Sequence, residues 1–141
     1  MRSLFTNLPV ADAAASKAFY AALGFSHNPD FSDDGTTCVV ISENLYVMAM
    51  ERGRFQGFIE GEIAPAGTVE TLHALSCDSR EEVDQFVTKA LDAGGRAWKP
   101  TNDLGHMYGG SFQDPDGHVW EAVWMDPAAL AGNATEGAAT A

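Results

Sequence analysis

The chain has 141 residues, 45% of them hydrophobic, with 20 acidic residues against 8 Lys and Arg and a net charge of −12 at pH 7. That length supports one domain with a real core. The acidic balance excludes nucleic acid as a partner, because phosphate binding needs clustered positive charge. No apolar run is long enough to span a membrane.

Taken in chain order, Leu4 to Leu8 reads as a first strand. Met1 to Phe5 turns polar at Thr6-Asn7 and lacks the layout of a signal peptide. Asp12 to Leu23 reads as a helix: Asp12 is a plausible N-cap, Ala15, Phe19 and Leu23 recur at helical spacing, and Gly24 stops it. Strands are expected at Phe25 to His27, Thr37 to Ile41 and Leu45 to Met50. Residues 51–70 read as a linker rich in Gly and charge and studded with Phe55, Phe58 and Ile59. A loop of that kind is more often a lid or a partner contact than a passive tether.

A second round follows. Leu72 to Cys77 is a strand. Ser79 to Ala93 is a helix opened by a Ser79/Glu82 capping box and striped by Val83, Phe86, Val87, Ala90 and Leu91. Arg96 to Lys99, Gly110 to Gln113 and Val119 to Trp124 read as strands. The plan is βαβββ twice, and a shift of 67 residues lays Phe5 on Leu72, Leu8 on Leu75, Asp12 on Ser79 and Phe19 on Phe86. The expected organisation is one domain over 1–127, made of module one (1–50), the linker and module two (71–127). A disordered tail is expected from 128 to 141, where Ala, Gly and Thr dominate without periodicity. Cys38 and Cys77 sit in apolar strand-like runs, which suits buried free thiols and a cytoplasmic protein, and neither has a His motif to activate it.

Chemistry concentrates at Asp114-Pro115-Asp116-Gly117-His118-Val119-Trp120-Glu121. Pro and Gly bracket a tight turn, and Glu121 sits inside the apolar strand that follows. A carboxylate is rarely found in such a strand unless it faces water or something that pairs with it.

The paired βαβββ plan ending in Asp-Pro-Asp-Gly, a short apolar stretch and Glu resembles the vicinal oxygen chelate superfamily of glyoxalases, extradiol dioxygenases and bleomycin-binding proteins. The resemblance covers residues 2 to 126. It is carried by Asn7-Leu8-Pro9-Val10 before a capped helix, Phe19-Tyr20 to Leu23-Gly24-Phe25, the Ala93-Gly94-Gly95 stop and Asp114 to Glu121. Asn7 to Val10, Tyr46 to Met48, Met107-Tyr108-Gly109 and Glu121 to Pro127 are similar to a subgroup labelled predicted lactoylglutathione lyase, a label that does not establish a reaction. The resemblance implies an α+β fold whose two modules form a half-barrel cup. It also implies metal ligands on the first and last strands of each module.

Placed residue by residue, those ligand positions hold Phe5, Met48, Leu72 and Glu121, so one ligand of four survives. His73 would join only if its strand slipped by one residue, since strand side chains alternate. No cofactor is expected, and a divalent metal is disfavoured. Glu121 then stands as a general base or as an anchor for a cationic or hydroxylated ligand; the alternative is a remnant paired with Asn7, a Tyr hydroxyl or water. Phe5, Asn7, Tyr46, Met48, Leu72, Tyr108 and Glu121 are the expected ligand-binding set, with His106, Met107 and Tyr108 on a Gly-flanked segment that closes over the ligand. Arg2, Arg52 and Arg54 are the cations available to an acidic substrate. His118 is expected to be exposed, and Trp120 and Trp124 to pack against the helices. The expected function is a metal-free, homodimeric protein that binds a small organic molecule in an apolar cup. The alternatives are a lactoylglutathione-lyase-like enzyme acting on a carbonyl adduct, or a structural dimer.

Overall fold

The first strand, β1 (Leu4–Val10), runs two residues past its expected end because Pro9 and Val10 still pair with the strand beside them, at Met50 and Glu51. Residues 1–129 are described, from a computed structural model. The expected tail beyond residue 129 lies outside the described residues. The Asp12 carboxylate accepts the N–H of Ala14 at 2.9 Å and caps α1 (Ala13–Ala22). Gly24, at φ +102°, takes the left-handed conformation that ends the helix. The chain continues through β2 (Ser26–His27), a 3-10 turn at Pro29–Phe31, β3 (Thr36–Ser42) and β4 (Leu45–Glu51).

The linker is not loop throughout. Its first part is a short helix, α2 (Arg52–Phe58), and the remainder, bent at Glu60-Gly61 and turned at Ala66-Gly67, leads irregularly to β5 (Leu72–Cys77). Helix α3 (Arg80–Asp92) carries the expected capping box. The Ser79 hydroxyl accepts the Glu82 N–H, and the Glu82 carboxylate accepts the Asp78 N–H at 3.0 Å.

Four strands follow: β6 (Arg96–Ala97), β7 (Asn102–Asp103), β8 (Met107–Gln113) and β9 (Val119–Met125). The strand expected to Lys99 stops at Ala97 because the Lys99 N–H turns to the Ser111 hydroxyl at 3.0 Å instead of a strand partner. The edge resumes as β7 against Tyr108 and Gly109. Strand β8 starts at Met107, three residues before its expected start, and pairs there with Met125. Met107 and Tyr108 are therefore sheet residues and not part of a free lid.

Two sheets result, ordered β1-β4-β3-β2 and β5-β9-β8-β6, each with its first strand parallel to its last. This is the expected α+β plan of two βαβββ modules, each curved sheet carrying one helix. Alternation gives every sheet a helix face and an open face. The helix faces of both sheets meet in one core: Leu8, Val39 and Val47 from the first, Phe112 and Trp120 from the second, with Phe19, Tyr20 and Ala90 from the helices between. Phe19 lies 6.4 Å from Phe112 and Phe25 stacks on Phe86, so aromatic contacts also cross the module boundary. Because the helix faces share this core, the open faces are turned away from it. The two half-cups of one chain do not close on a common cavity.

The modules are locked together at the Asp-Pro-Asp-Gly turn. Asp114 is 1% exposed. Its carboxylate accepts the Tyr20 hydroxyl at 2.5 Å and the backbone N–H groups of Asp116 and His118. The Trp120 indole N–H donates to the Tyr20 oxygen at 3.2 Å. Asp116 accepts the Ala11 N–H, and His118 is half-buried with Nε2 2.7 Å from the Pro9 carbonyl, so it is not the free surface histidine expected. Burial pushes the Asp114 carboxyl up from its usual range, opposed by the nearby His118 and the bond from Tyr20.

Candidate functional site

Glu121 lies on the open face of the second sheet, between Ala74 of β5 and Ser111 of β8, and is half-buried. Its neighbours Trp120 and Ala122 point the other way and are buried. Among the described residues the Glu121 side chain makes no hydrogen bond and no ion pair, so neither Asn7 nor a Tyr hydroxyl pairs with it within the chain. Leu72 shares this face and is 48% exposed.

The other half of the expected site is on the first sheet. Parallel pairing sets Phe5 beside Tyr46 and Asn7 beside Met48, so all four project from one face. The Phe5 and Tyr46 rings stack with centroids 4.7 Å apart and planes 12° apart. Phe31, on the 3-10 turn, meets Phe5 edge-on at 6.2 Å and extends the aromatic surface. The sequence held no signal for Phe31, since its proximity depends on the turn folding back over β3. Asn7 is exposed and its amide contacts only the Phe5 carbonyl of its own strand, at 3.4 Å.

Tyr108 does not belong with these residues. It pairs with Trp124 on the helix side, and its hydroxyl donates to Asp84 of α3 at 2.7 Å. The Arg80 guanidinium sits 5.0 Å from the Tyr108 ring and 5.1 Å from Trp124, held by Asp103 and the Gly105 carbonyl. That cluster pins the β7–β8 turn to α3. His106 is exposed at the turn. Of the cations considered for an acidic substrate, Arg54 is engaged by Asp33 and Thr36, and Arg52 lines a cleft near Pro9.

The donor set does not suit a metal. Phe5, Met48 and Leu72 offer no hard donor, and the thioether of Met48 favours soft ions alone. His73 pairs with Trp120 and lies on the helix face, opposite Glu121, so the register slip that would bring it into the cup does not occur. Among the described residues no three His, Cys, Asp or Glu side chains cluster as a metal site would require. Both cysteines are buried and free, and burial pushes the Cys77 thiol up to about 11, away from nucleophilic use. No helix of the described residues is long and apolar enough to cross a membrane.

Known proteins match this arrangement. Residues 2–42 match the family model for the bleomycin resistance protein-like N-terminal region. A hypothetical protein from S. aureus is 30% identical over 88% of this chain and 94% of its own, with a TM-score of 0.77. A glyoxalase/bleomycin resistance protein/dioxygenase family enzyme from Burkholderia phytofirmans is 19% identical over 86% of this chain and 96% of its own, with a TM-score of 0.72. A lactoylglutathione lyase from Agrobacterium tumefaciens is 15% identical over 86% and 91%, with a TM-score of 0.63. The last two share the fold alone. The chain belongs to the glyoxalase/bleomycin resistance/dioxygenase group, the vicinal oxygen chelate superfamily. Within that superfamily, the sequence match falls on module one and is to the bleomycin resistance branch. No protein of curated function matches the chain.

Proposed function

We propose that two copies of this chain pair to enclose a small organic molecule without a metal. The half-cup of Phe5, Asn7, Tyr46 and Met48 comes from one copy, and the half-cup of Leu72 and Glu121 from the other. The observation that carries this reading is the orientation of the two half-cups: within one chain both are turned away from the shared core, so neither supplies the opposite wall of the other's cavity. Both also expose apolar side chains, with Phe5 42% and Leu72 48% exposed. Exposed apolar patches of this kind mark binding surfaces. An aromatic and Met-lined wall accommodates a flexible organic ligand. Glu121 supplies the polar contact that orients it, and its unpaired carboxylate is free to accept from a cationic or hydroxylated group.

The competing reading is a lyase acting on a small carbonyl adduct, with Glu121 as base. It draws on the fold of the Agrobacterium tumefaciens lyase. The donor set argues against it, because metal polarisation of the substrate oxygens would need ligands that Phe5, Met48 and Leu72 do not offer.

The test is metal analysis of the purified protein, followed by a thermal-shift screen of small molecules with wild type and Glu121→Gln. A metal-free dimer is expected, with a ligand hit whose affinity falls about tenfold in Glu121→Gln, the worth of one charge-assisted hydrogen bond. Stoichiometric Zn, Ni or Mn with hemithioacetal isomerase activity would overturn the proposal in favour of the lyase.

A further inference from the structure

The interior side of β5 carries a histidine, His73, that the cup does not use. The His73 ring stacks on Trp120, centroids 4.8 Å apart. Its Nδ1 is fully enclosed and has no hydrogen-bond partner. The ring lines a cavity of about 20 Å³, room for about one water. Leu8 of β1 and the turn residues Gly117, His118 and Val119 form its walls, and Thr68 to Thr71 of the linker close it. A wider cleft of about 180 Å³ adjoins it, sharing Thr68, Glu70, Gly117 and His118 and reaching Arg52 and Ala64 to Gly67. The end of the linker therefore lies across an unpaired imidazole nitrogen, with a cleft beside it.

We infer that His73 is a proton-operated latch: while its ring is neutral, residues 68–71 lie closed across the junction of the two modules, and protonation of the ring opens them. A neutral imidazole leaves at Nδ1 one unpaired, uncharged group. An imidazolium carries N–H on both nitrogens, so it would bury a charged donor that no protein group accepts. Bulk water can reach that nitrogen if residues 68–71 lift. The charged and titratable groups around the ring are few. The turn presents His118 and Asp114, with Asp116 in the adjoining cleft, the linker presents Glu70, and β1 presents only the uncharged Leu8. From β9 the contacts are Trp120 and Val119, which carry no charge. Burial and then the neighbouring His118 hold His73 below its ordinary value of 6.5, against a smaller opposing pull from Asp114. The folded state thus binds this proton less readily than the unfolded chain does. Stability from the neutral ring is complete above about pH 6.5 and is lost as pH falls below it.

The test is an NMR titration of the histidine ring protons between pH 8 and 5, run beside thermal melts and Trp emission of wild type, His73→Phe and His73→Gln. His73 is expected to titrate with a midpoint below 6.5, accompanied by a fall in melting temperature and a change in Trp emission over the same range. Both changes are expected to be lost in His73→Phe, which keeps a ring against Trp120. The Gln variant provides the same comparison if Phe fails to fold. A His73 midpoint at or above 6.5 would overturn the latch, as would an acid response that persists unchanged in either folded variant.

Discussion

Tyr20→Phe tests the clamp that joins the modules by removing a single oxygen. The ring stays, with its edge-on contacts to Phe19 at 5.1 Å and Trp120 at 5.7 Å. The lost oxygen donates to the buried Asp114 carboxylate at 2.5 Å and accepts from the Trp120 indole at 3.2 Å. A hydrogen bond to a charged group contributes about 1.5–3 kcal/mol, and a buried N–H left without an acceptor costs about 1–3 kcal/mol. The two losses share one atom and are not fully additive, so the expected destabilisation is about 3 kcal/mol. That is a large share of the roughly 5–15 kcal/mol that holds a domain of this size. Urea unfolding should show a lower midpoint at unchanged slope, and melting should fall by about 10 °C. The pH dependence carries a second signature. Burial, then the charge of Asp114, pushes the Tyr20 hydroxyl well above its ordinary value. An unfolded tyrosine releases its proton near pH 10 while the folded one keeps it, so Tyr20 makes the wild type lose stability as pH rises past about 10. The Phe variant should lose less over that range. A loss under about 1 kcal/mol, or an identical alkaline slope, would refute the clamp.

Two further outcomes are expected. Leu72→Asp puts a charge on an exposed position of the open face, so the single chain should keep its stability within about 0.5 kcal/mol, while light scattering should report monomer in place of the proposed dimer. A dimer that survives would count against pairing through this face. Gly95→Ala places a methyl group 2.6 Å from the Gln113 carbonyl oxygen and 2.8 Å from that of Ala90, both backbone atoms that cannot swing aside. A destabilisation of about 3 kcal/mol by chemical denaturation is expected, and a neutral effect would mean that the approach of α3 to β8 is looser than described.

The helices and most strands were legible because their signals are local. Asp12 and Ser79 cap, Gly24 and Gly94 stop, and apolar periodicity does the rest. The errors fell where pairing overrides local signal. The Gly-flanked segment His106 to Tyr108 reads as a closing loop, yet Met107, Tyr108 and Gly109 are paired strand in β8, opposite Met125, Trp124 and Val123. The sequence places Tyr108 in the expected ligand-binding set. Its register with Trp124 turns it instead to the helix face and to Asp84. Asp114 was read as one half of a turn, and nothing local shows that its carboxylate is the buried acceptor of a hydroxyl 94 positions away.

The sequence by itself determined the two-module plan, the isolation of Glu121 among poor metal donors, and the sides taken by His73 and Trp120, since alternation along a strand is a covalent regularity. Only the tertiary structure decided which way the modules pack. That choice rests on long-range contacts, Phe19 with Phe112 and Tyr20 with Asp114 and Trp120, which no stretch of chain encodes alone. It turns both half-cups outward and sets the half-buried His73 beside the end of the linker.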